Sequence, residues 1–350
     1  MIIRRVLSLA LAVWPGLVFA QDWATRELCF APVGALEASH VAPLSLEALE
    51  AAAADAENGI GRYWRVTAPG GAVSHLWGTY HTSMAEVLDL PDFVTDEIAT
   101  ARAVAVEIDF TYPDRGAIFA EYEVEGRYRM SDDPFAVQDE LDLSFLGSDV
   151  EGWVLDRLIA YGTFEDALYV LTYAGLAELL LGDPCEDYVD TVLPVQDDLI
   201  QTLGHIAGAE IIGLEATDAF FVDLADKPEV AQAIVAVYAS YLQPPRDADS
   251  YSASVAMYQE GRLGLLAALD GAHLEAVYGA KGRDYLQKTD AYLLTFRNER
   301  FLERALPELT KGDLFMAVGA LHLPGEAGLV SMLRARGFEV TRVPVPGEVE

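Results

Sequence analysis

The chain has 350 residues, and 56 acidic against 23 basic side chains give it a net charge of −33. A surface this acidic repels nucleic acid and anionic lipid, so both are excluded as partners on electrostatic grounds. The hydrophobic content of 52% is that of a globular rather than a disordered protein, and the length suffices for one large domain.

The first 20 residues are predicted to be a secretory signal peptide. Arg4 and Arg5 precede an apolar stretch over residues 6–19, and small residues lead to a cleavage site before Gln21. The stretch is short for a bilayer span, which needs about 20 residues. The predicted cleavage site also has no cysteine to which a lipid anchor could be attached. We therefore expect an exported protein without a stable membrane anchor, periplasmic in a Gram-negative host, with residues 21–350 forming a single domain.

The domain is predicted to open with a helix followed by a strand–helix–strand unit over residues 62–110. The predicted elements are a helix over 44–54, strands over 62–68 and 72–78 that form a hairpin, a helix over 91–101 and a buried strand over 103–110. The hairpin turn is Pro69-Gly70-Gly71, and its second strand leads directly to His81.

Residues 150–306 are predicted to be mainly helical, because their apolar residues recur at helical spacing. The predicted elements are helices over 150–160, 164–181, 195–207, 228–242, 252–269 and 284–306, with one short strand over 210–214. The segment 243–247, Gln-Pro-Pro-Arg-Asp, separates two of these helices and is the best candidate for a mobile loop.

Residues 312–343 repeat the plan of the first unit. A strand over 314–318 leads to His322, a helix follows over 326–336 with Gly337 as its cap, and a strand closes the unit over 338–343. The predicted fold is therefore of the α/β class in a mixed α+β form. Its central mixed β-sheet is built from two pseudo-symmetric strand-GxxH-helix-strand units, and the helical middle section packs around it.

Two histidines occupy matching positions in these units. Each follows an apolar strand and comes three residues after a glycine, in Gly78-Thr79-Tyr80-His81 and in Gly319-Ala320-Leu321-His322. Glycine permits a sharp bend or a close backbone approach, and imidazole is the commonest metal ligand and a general base near neutrality. Because α/β sheets place their sites at strand ends, we expect one site that holds a divalent metal between the two rings. The alternative for each histidine alone is a structural role.

Two glutamates and an Arg-Asn pair are the other candidate site residues. Glu107 lies in an otherwise apolar strand, where an unpaired carboxylate is costly, so a cation, a donor set or a metal should lie beside it. Glu215 ends another short apolar strand in the same way, and a structural salt bridge is the alternative for both. Arg297 and Asn298 lie in the last predicted helix of the middle section. Arg297 is either a surface residue of a charged helix or a guanidinium that holds a carboxylate or an oxyanion.

Cys29 and Cys185 are the two cysteines of the chain. In an oxidising compartment a disulfide is the default for such a pair, and it would tie the N-terminal segment to the body of the domain. Paired metal thiolates are the alternative, but two isolated cysteines lack the spacing of a zinc site. HExxH, GxSxG, P-loop and GxGxxG motifs are also absent from the sequence, so those enzyme classes have no motif support.

Five segments, taken in order, resemble the motifs of the TraB/GumN family, which is related to the Tiki metalloproteases that cleave secreted Wnt proteins. They are Leu76-Trp77-Gly78-Thr79-Tyr80-His81, Val106-Glu107-Ile108-Asp109, Ile212-Gly213-Leu214-Glu215, Arg297-Asn298, and Val318-Gly319-Ala320-Leu321-His322-Leu323-Pro324-Gly325. The resemblance covers about residues 62–343. It implies a metal-dependent peptide hydrolase, with Mn²⁺ or Co²⁺ as the metals associated with Tiki activity and Zn²⁺ not excluded.

Together, the residues and the resemblance lead to one principal functional hypothesis. His81, His322 and Glu107 would hold the metal, with Glu107 as ligand or general base; Arg297 would stabilise the oxyanion, and Glu215 would orient a histidine. The motif residues Gly78, Thr79, Gly319, Asn298 and Gly325 would support this centre. The substrate would be a peptide or protein, and the sequence does not indicate an oligomeric state. The alternatives are a non-catalytic periplasmic protein that binds a peptide or another ligand, and an esterase-like hydrolase.

Overall fold

The computed structural model describes residues 29–109, 129–130, 139–160, 165–182, 185, 194–243 and 248–350. The predicted signal peptide and residues 110 and 164, which bound two predicted elements, lie outside the described residues. So do residues 244–247 of the predicted loop.

A six-stranded mixed sheet forms the centre of the molecule. Its strands are β1 (Tyr63–Thr67), β2 (Val73–Thr79), β3 (Ala103–Ile108), β4 (Glu210–Glu215), β5 (Leu314–Gly319) and β6 (Glu339–Arg342). The strand order is β4-β3-β5-β2-β1-β6. Strands β4, β3, β5 and β2 run parallel, while β1 is antiparallel to both β2 and β6. The mixed sheet and the mixed α+β class are therefore confirmed.

The strands that lead to the two histidines are direct neighbours. Strands β2 and β5 pair in parallel, with Gly78 opposite Val318 and Thr79 opposite Gly319. The two GxxH motifs thus leave the sheet side by side, at its carboxyl edge, although 241 positions separate the histidines in sequence.

The helices cover both faces of the sheet and form a separate layer. They are α1 (Leu46–Ala53), α2 (Ala85–Leu88), α3 (Asp92–Thr100), α4 (Ser148–Ala160), α5 (Tyr173–Leu181), α6 (Gln196–Ala207), α7 (Thr217–Ala225), α8 (Pro228–Ser240), α9 (Ala248–Gln259), α10 (Leu263–Tyr278), α11 (Ala280–Asp290), α12 (Arg297–Lys311) and α13 (Leu329–Ala335). Within the described residues, none of them is both long enough and apolar enough to cross a membrane.

The helices that connect the strands of the two units lie on opposite faces of the sheet. Helix α3, between β2 and β3, packs with α6 on one face, whereas α13, between β5 and β6, packs with α12 on the other. The strands serve both faces because alternate residues point to opposite sides, as Leu76 and Trp77 do in β2. Since β2 and β5 are neighbours, the chain switches direction between them. Open α/β sheets form ligand sites at such a switch point.

Several predicted helices differ from those observed. The predicted helix over 252–269 is two helices, α9 and α10, because Gly261 takes a left-handed conformation (φ +67°) between them. The predicted helix over 284–306 is α11, a π-helical segment over Ala291–Phe296, and α12. The predicted helix over 164–181 resolves into a 3₁₀ turn over Glu165–Tyr169 and α5. Helix α7 was not predicted.

A disulfide joins the N-terminal segment to the helical layer. Cys29 and Cys185 are bonded with their Cα atoms 5.4 Å apart, across a sequence separation of 156 residues. Helices α4, α5, α7 and α8 share a hydrophobic cluster that is distinct from the clusters on the two faces of the sheet. By restricting the unfolded chain over so long a loop, the bridge contributes about 5 kcal/mol in the chain-entropy description.

Candidate functional site

The carboxyl edge of the sheet collects the polar residues that the sequence pointed to. Strands β2, β3, β4 and β5 are parallel and end together at this edge. Glu107 is the penultimate residue of β3, Glu215 is the last residue of β4, and Gly319 is the last residue of β5. A 3₁₀ turn over Ala320–His322 then bends the chain back across the edge.

His322 is buried and its ring is fixed. Its Nδ1 lies 2.7 Å from Asn298 Oδ1, and its ring packs against Phe301 with 5.1 Å between the centroids. The side-chain amide of Asn298 donates to the backbone oxygens of His322 and Ala327, so its Oδ1 is the atom that faces the ring. Nδ1 therefore carries the proton and Nε2 the lone pair. Burial, ahead of the other influences, lowers the pKa of His322 to about 4, so the ring is neutral at pH 7.

His81 is the exposed member of the pair. Its side chain is 56% exposed, and its Nδ1 lies 3.2 Å from Asp197 Oδ2. Thr79 donates a hydrogen bond of 2.7 Å to the other oxygen of Asp197. Burial raises the pKa of Asp197 above its ordinary value, although His81 and Thr79 act in the opposite direction. Each histidine thus has an oxygen acceptor beside Nδ1.

Glu107 lies between the two rings and accepts contacts on both oxygens. Its Oε2 accepts from Arg297 Nη2 at 2.6 Å, while its Oε1 accepts from the N–H of Gly319 at 2.7 Å and lies 3.4 Å from His322 Nε2. Burial alone would raise the pKa of Glu107. Arg297, the two histidines and the Gly319 N–H outweigh burial and hold that pKa well below its usual range, so Glu107 is ionised.

Arg297 bridges the two candidate glutamates. Its Nε donates to Glu215 Oε2 at 2.7 Å, and its Nη2 donates to Glu107. Its guanidinium also lies 4.8 Å from the ring centroid of Phe220 and 5.0 Å from that of Phe301. Although burial disfavours its charge, the two glutamates raise the pKa of Arg297 above the ordinary arginine value. Of the two interpretations offered by the sequence, the geometry supports a guanidinium that holds carboxylates.

Glu215 is fully buried and lies beside arginines rather than beside a histidine. Its Oε2 accepts from Arg297, and its Oε1 lies 3.5 Å from Arg300 Nη1. The acceptors that do lie beside the two histidines are Asp197 and Asn298. In this geometry Glu215 anchors Arg297, and through it Glu107, so its expected role of orienting a histidine needs correction.

The motif glycines serve different purposes. A Cβ on Gly319 would lie 3.3 Å from Glu107 Oε1, 3.4 Å from His322 Cδ2 and 3.7 Å from His81 Nε2. A Cβ on Gly78 would instead meet Leu323 at 2.8 Å and Ala320 at 3.0 Å. Gly325 has φ +87° and donates its N–H to Glu57 O at 2.7 Å, so it shapes the turn after His322 and does not face the donors.

The donor chemistry around Gly319 fits a divalent metal. Two imidazoles and one ionised carboxylate suit Mn²⁺, Co²⁺ or Zn²⁺. The three side chains surround the space that a Cβ on Gly319 would take, and glycine leaves that space open. Within the part of the chain that is described, no three His, Cys, Asp or Glu side chains already stand in the arrangement of a metal-binding group. Glu107 Oε1 and His81 Nε2 thus face this point, whereas His322 presents its ring carbon Cδ2 to it.

Asp197 is the site residue that the sequence interpretation missed. It is the second residue of α6, and an acidic residue in the first turn of a helix is ordinarily explained by the helix dipole. Its contact with Thr79 joins positions 118 residues apart. The polar run Gln196-Asp197-Asp198 directly after an apolar segment is the one local signal that could have drawn attention to it.

Comparison with known proteins gives a family match over most of the chain. The model of the TraB/PrgY/gumN family matches residues 63–342. Residue 63 is the first residue of β1 and residue 342 is the last residue of β6. The match therefore includes all six strands and the helices between them. No curated protein and no solved structure matches the chain significantly. Because the family match covers most of the sequence, the chain belongs to the TraB/PrgY/gumN family.

Proposed function

We propose that the protein is an exported, metal-dependent hydrolase whose substrates are peptides. The observation that carries the proposal is the arrangement at Gly319, where His81 Nε2, the ring of His322 and an ionised Glu107 face one point. A divalent metal held there would act as a Lewis acid on the scissile carbonyl and on water. Export is supported by the disulfide between Cys29 and Cys185, because such bonds persist in oxidising compartments.

The proposal gives the two histidines the role of metal ligands through Nε2. His322 is neutral and held by Asn298, so its lone pair is available at any pH well above 4. His81 lies at the solvent side of the same point, where a substrate would enter. A fixed ligand on one side and an exposed one on the other leave room for a substrate beside His81.

Glu107 suits the role of an anionic ligand better than that of a general base. A general base works best with a pKa near the operating pH, whereas the pKa of Glu107 is held far below it. Arg297 and the Gly319 N–H pin both of its oxygens in place. Arg297 would then position Glu107. A contact with an oxyanion would use the N–H groups of Arg297 that do not donate to Glu107 or Glu215.

The same observation gives some support to the alternative of a non-catalytic binding protein. A carboxylate that is tightly paired with arginine is a poor proton acceptor, and capture of a peptide or another ligand needs none. Mass spectrometry of candidate peptides separates the two functions, since binding leaves the peptide intact.

The test compares purified wild-type protein with His81→Ala and His322→Ala. His205→Ala is the control, because His205 is exposed at the far end of α6. We expect one equivalent of bound divalent metal and turnover of a peptide library in wild type and His205→Ala, and neither in the two site variants. Equal metal content and equal turnover in all four proteins would refute the metal site. Retained metal with intact peptides in wild type would refute cleavage but leave the metal site standing.

A further inference from the structure

Each histidine has a pair of consecutive polar helical residues beside it. Asn298, beside His322, follows Arg297 directly after the π-helical segment, within the continuous helical run over 280–311. Asp197, beside His81, is the second residue of α6, which begins at Gln196. In both pairs the first residue is buried and tied to neighbouring elements, and the second residue faces a histidine Nδ1. The likeness between the two units therefore extends beyond the GxxH motifs.

Gln196 fixes the start of α6 against the end of β2. Its side-chain oxygen accepts from Trp77 Nε1 at 3.1 Å, from Tyr80 N at 3.2 Å and from the Tyr258 hydroxyl at 2.7 Å. Its amide nitrogen donates to Val87 O. With only 1% of its surface exposed, Gln196 has the place that Arg297 has in the other pair. The residue after it is thereby delivered to a defined position.

The carboxylate of Asp197 is divided between two tasks. Its Oδ1 accepts from the hydroxyl of Thr79, the last residue of β2. Its Oδ2 is buried and makes no hydrogen bond among the described residues, yet it lies 3.2 Å from His81 Nδ1. A buried carboxylate oxygen without a donor is costly, and His81 Nδ1 is a nitrogen placed to supply one.

We infer that Asp197 is the positioning residue for His81. Its Oδ2 accepts the Nδ1–H of the ring, which selects one tautomer and leaves the lone pair on Nε2, the atom that faces Gly319. Carboxylates that accept from the remote nitrogen of a metal-ligating histidine fix its orientation and increase its basicity. The consequence for metal binding rests on the proposed function, whereas the tautomer is a property of the metal-free protein.

The first experiment measures the tautomer without metal. Long-range ¹H–¹⁵N correlation spectra of metal-free, ¹⁵N-labelled protein are recorded about two pH units above the ordinary histidine pKa. We expect His81 as the Nδ1–H tautomer in wild type and in Asp198→Ala, which removes the neighbouring charge from the same helical turn. We expect Asp197→Ala to move His81 toward the Nε2–H form. The signals of His322, which Asn298 holds, should be unchanged and so report that the variant is folded.

The second experiment measures Mn²⁺ affinity by calorimetry on the same proteins. Asp197→Ala should weaken binding about 10- to 100-fold, while Asp198→Ala should have a much smaller effect. An Nε2–H tautomer in wild type, or an unchanged tautomer in folded Asp197→Ala, overturns the inference. If Asp197→Ala does not fold, the wild-type tautomer still decides. Loss of the proposed function would appear differently, as wild-type protein that binds no metal but shows the expected tautomer.

Discussion

The two histidine corners are built on one plan and placed in opposite surroundings. Both use a parallel strand, a glycine, a histidine three residues later and a helical residue that places an oxygen beside Nδ1. The side chain of His322 is 5% exposed and faces a neutral amide, whereas that of His81 is 56% exposed and faces a carboxylate. We therefore expect the buried corner to contribute to the stability of the fold. We expect a smaller contribution to stability from the exposed corner.

The largest expected effect comes from removing Arg297, the cation of the buried corner. Arg297→Gln leaves the buried Glu107 and Glu215 without their shared partner. Breaking a buried ion pair from one side typically costs about 3–5 kcal/mol, so the free energy of unfolding in urea should fall by that amount. Arg304→Gln, on the exposed side of the same helix, is the control. A loss below about 1 kcal/mol would show that the buried corner does not stabilise the fold.

Histidine substitutions test the comparison directly. His322→Ala opens a cavity beside Phe301 and leaves Asn298 Oδ1 unpaired, so we expect a loss of about 2–3 kcal/mol in metal-free protein. His81→Ala removes a mostly exposed ring and should change stability by about 0.5 kcal/mol or less. Denaturation with EDTA present measures both. Equal costs for the two variants would contradict the contrast between the corners.

The motif glycines should separate stability from metal binding. Gly78→Ala forces a methyl group against Leu323 and Ala320, so we expect a loss of about 1–3 kcal/mol. Gly319→Ala meets the donors at 3.3 Å or more, a tight but tolerable distance, and its methyl group occupies the point that they face. Gly319→Ala should therefore keep most of the stability and lose Mn²⁺ affinity in calorimetry. The reverse pattern would show that Gly319 is needed only for packing.

The sequence predicted the features that depend on local patterns and missed those that depend on contacts between distant positions. Strand periodicity and the paired GxxH motifs are local, and they correctly indicated a central mixed sheet with histidines that follow the ends of its strands. Gly261 was available as a break between α9 and α10, but apolar periodicity continues across it and suggested one helix. The π-helical segment before Arg297 has no local signal in the sequence. Asp197 was missed because its contacts with Thr79 and His81 form only when the folded sheet brings α6 to the end of β2.

The pH dependence of stability should show a smaller difference, between the carboxyl at the sheet edge and two carboxyls on α10 and α11. Glu107 is paired with Arg297, whereas Asp270 on α10 and Asp290 on α11 are close enough to repel each other. Burial raises the pKa of Asp270 to about 6, although a hydrogen bond from Tyr241 opposes the shift. Burial, and then the charge of Asp270, raise the pKa of Asp290 to about 7.

Carboxyls with raised pKa values stabilise the fold while protonated, below the unfolded value near 4, and this stability is lost as the pH rises through 6 to 7. Wild-type protein should therefore lose stability between pH 5 and pH 8 on account of this pair, whatever other groups contribute. Asp290→Asn should reduce that loss by about 1 kcal/mol, a value discounted for the partial exposure of Asp290. Asp284→Asn, exposed on the same helix and paired with Lys288, should leave the loss unchanged. Thermal unfolding of the three proteins across this range makes the measurement. An Asp290→Asn profile parallel to wild type would show that Asp290 is ionised in the folded protein, as Glu107 is at the sheet edge.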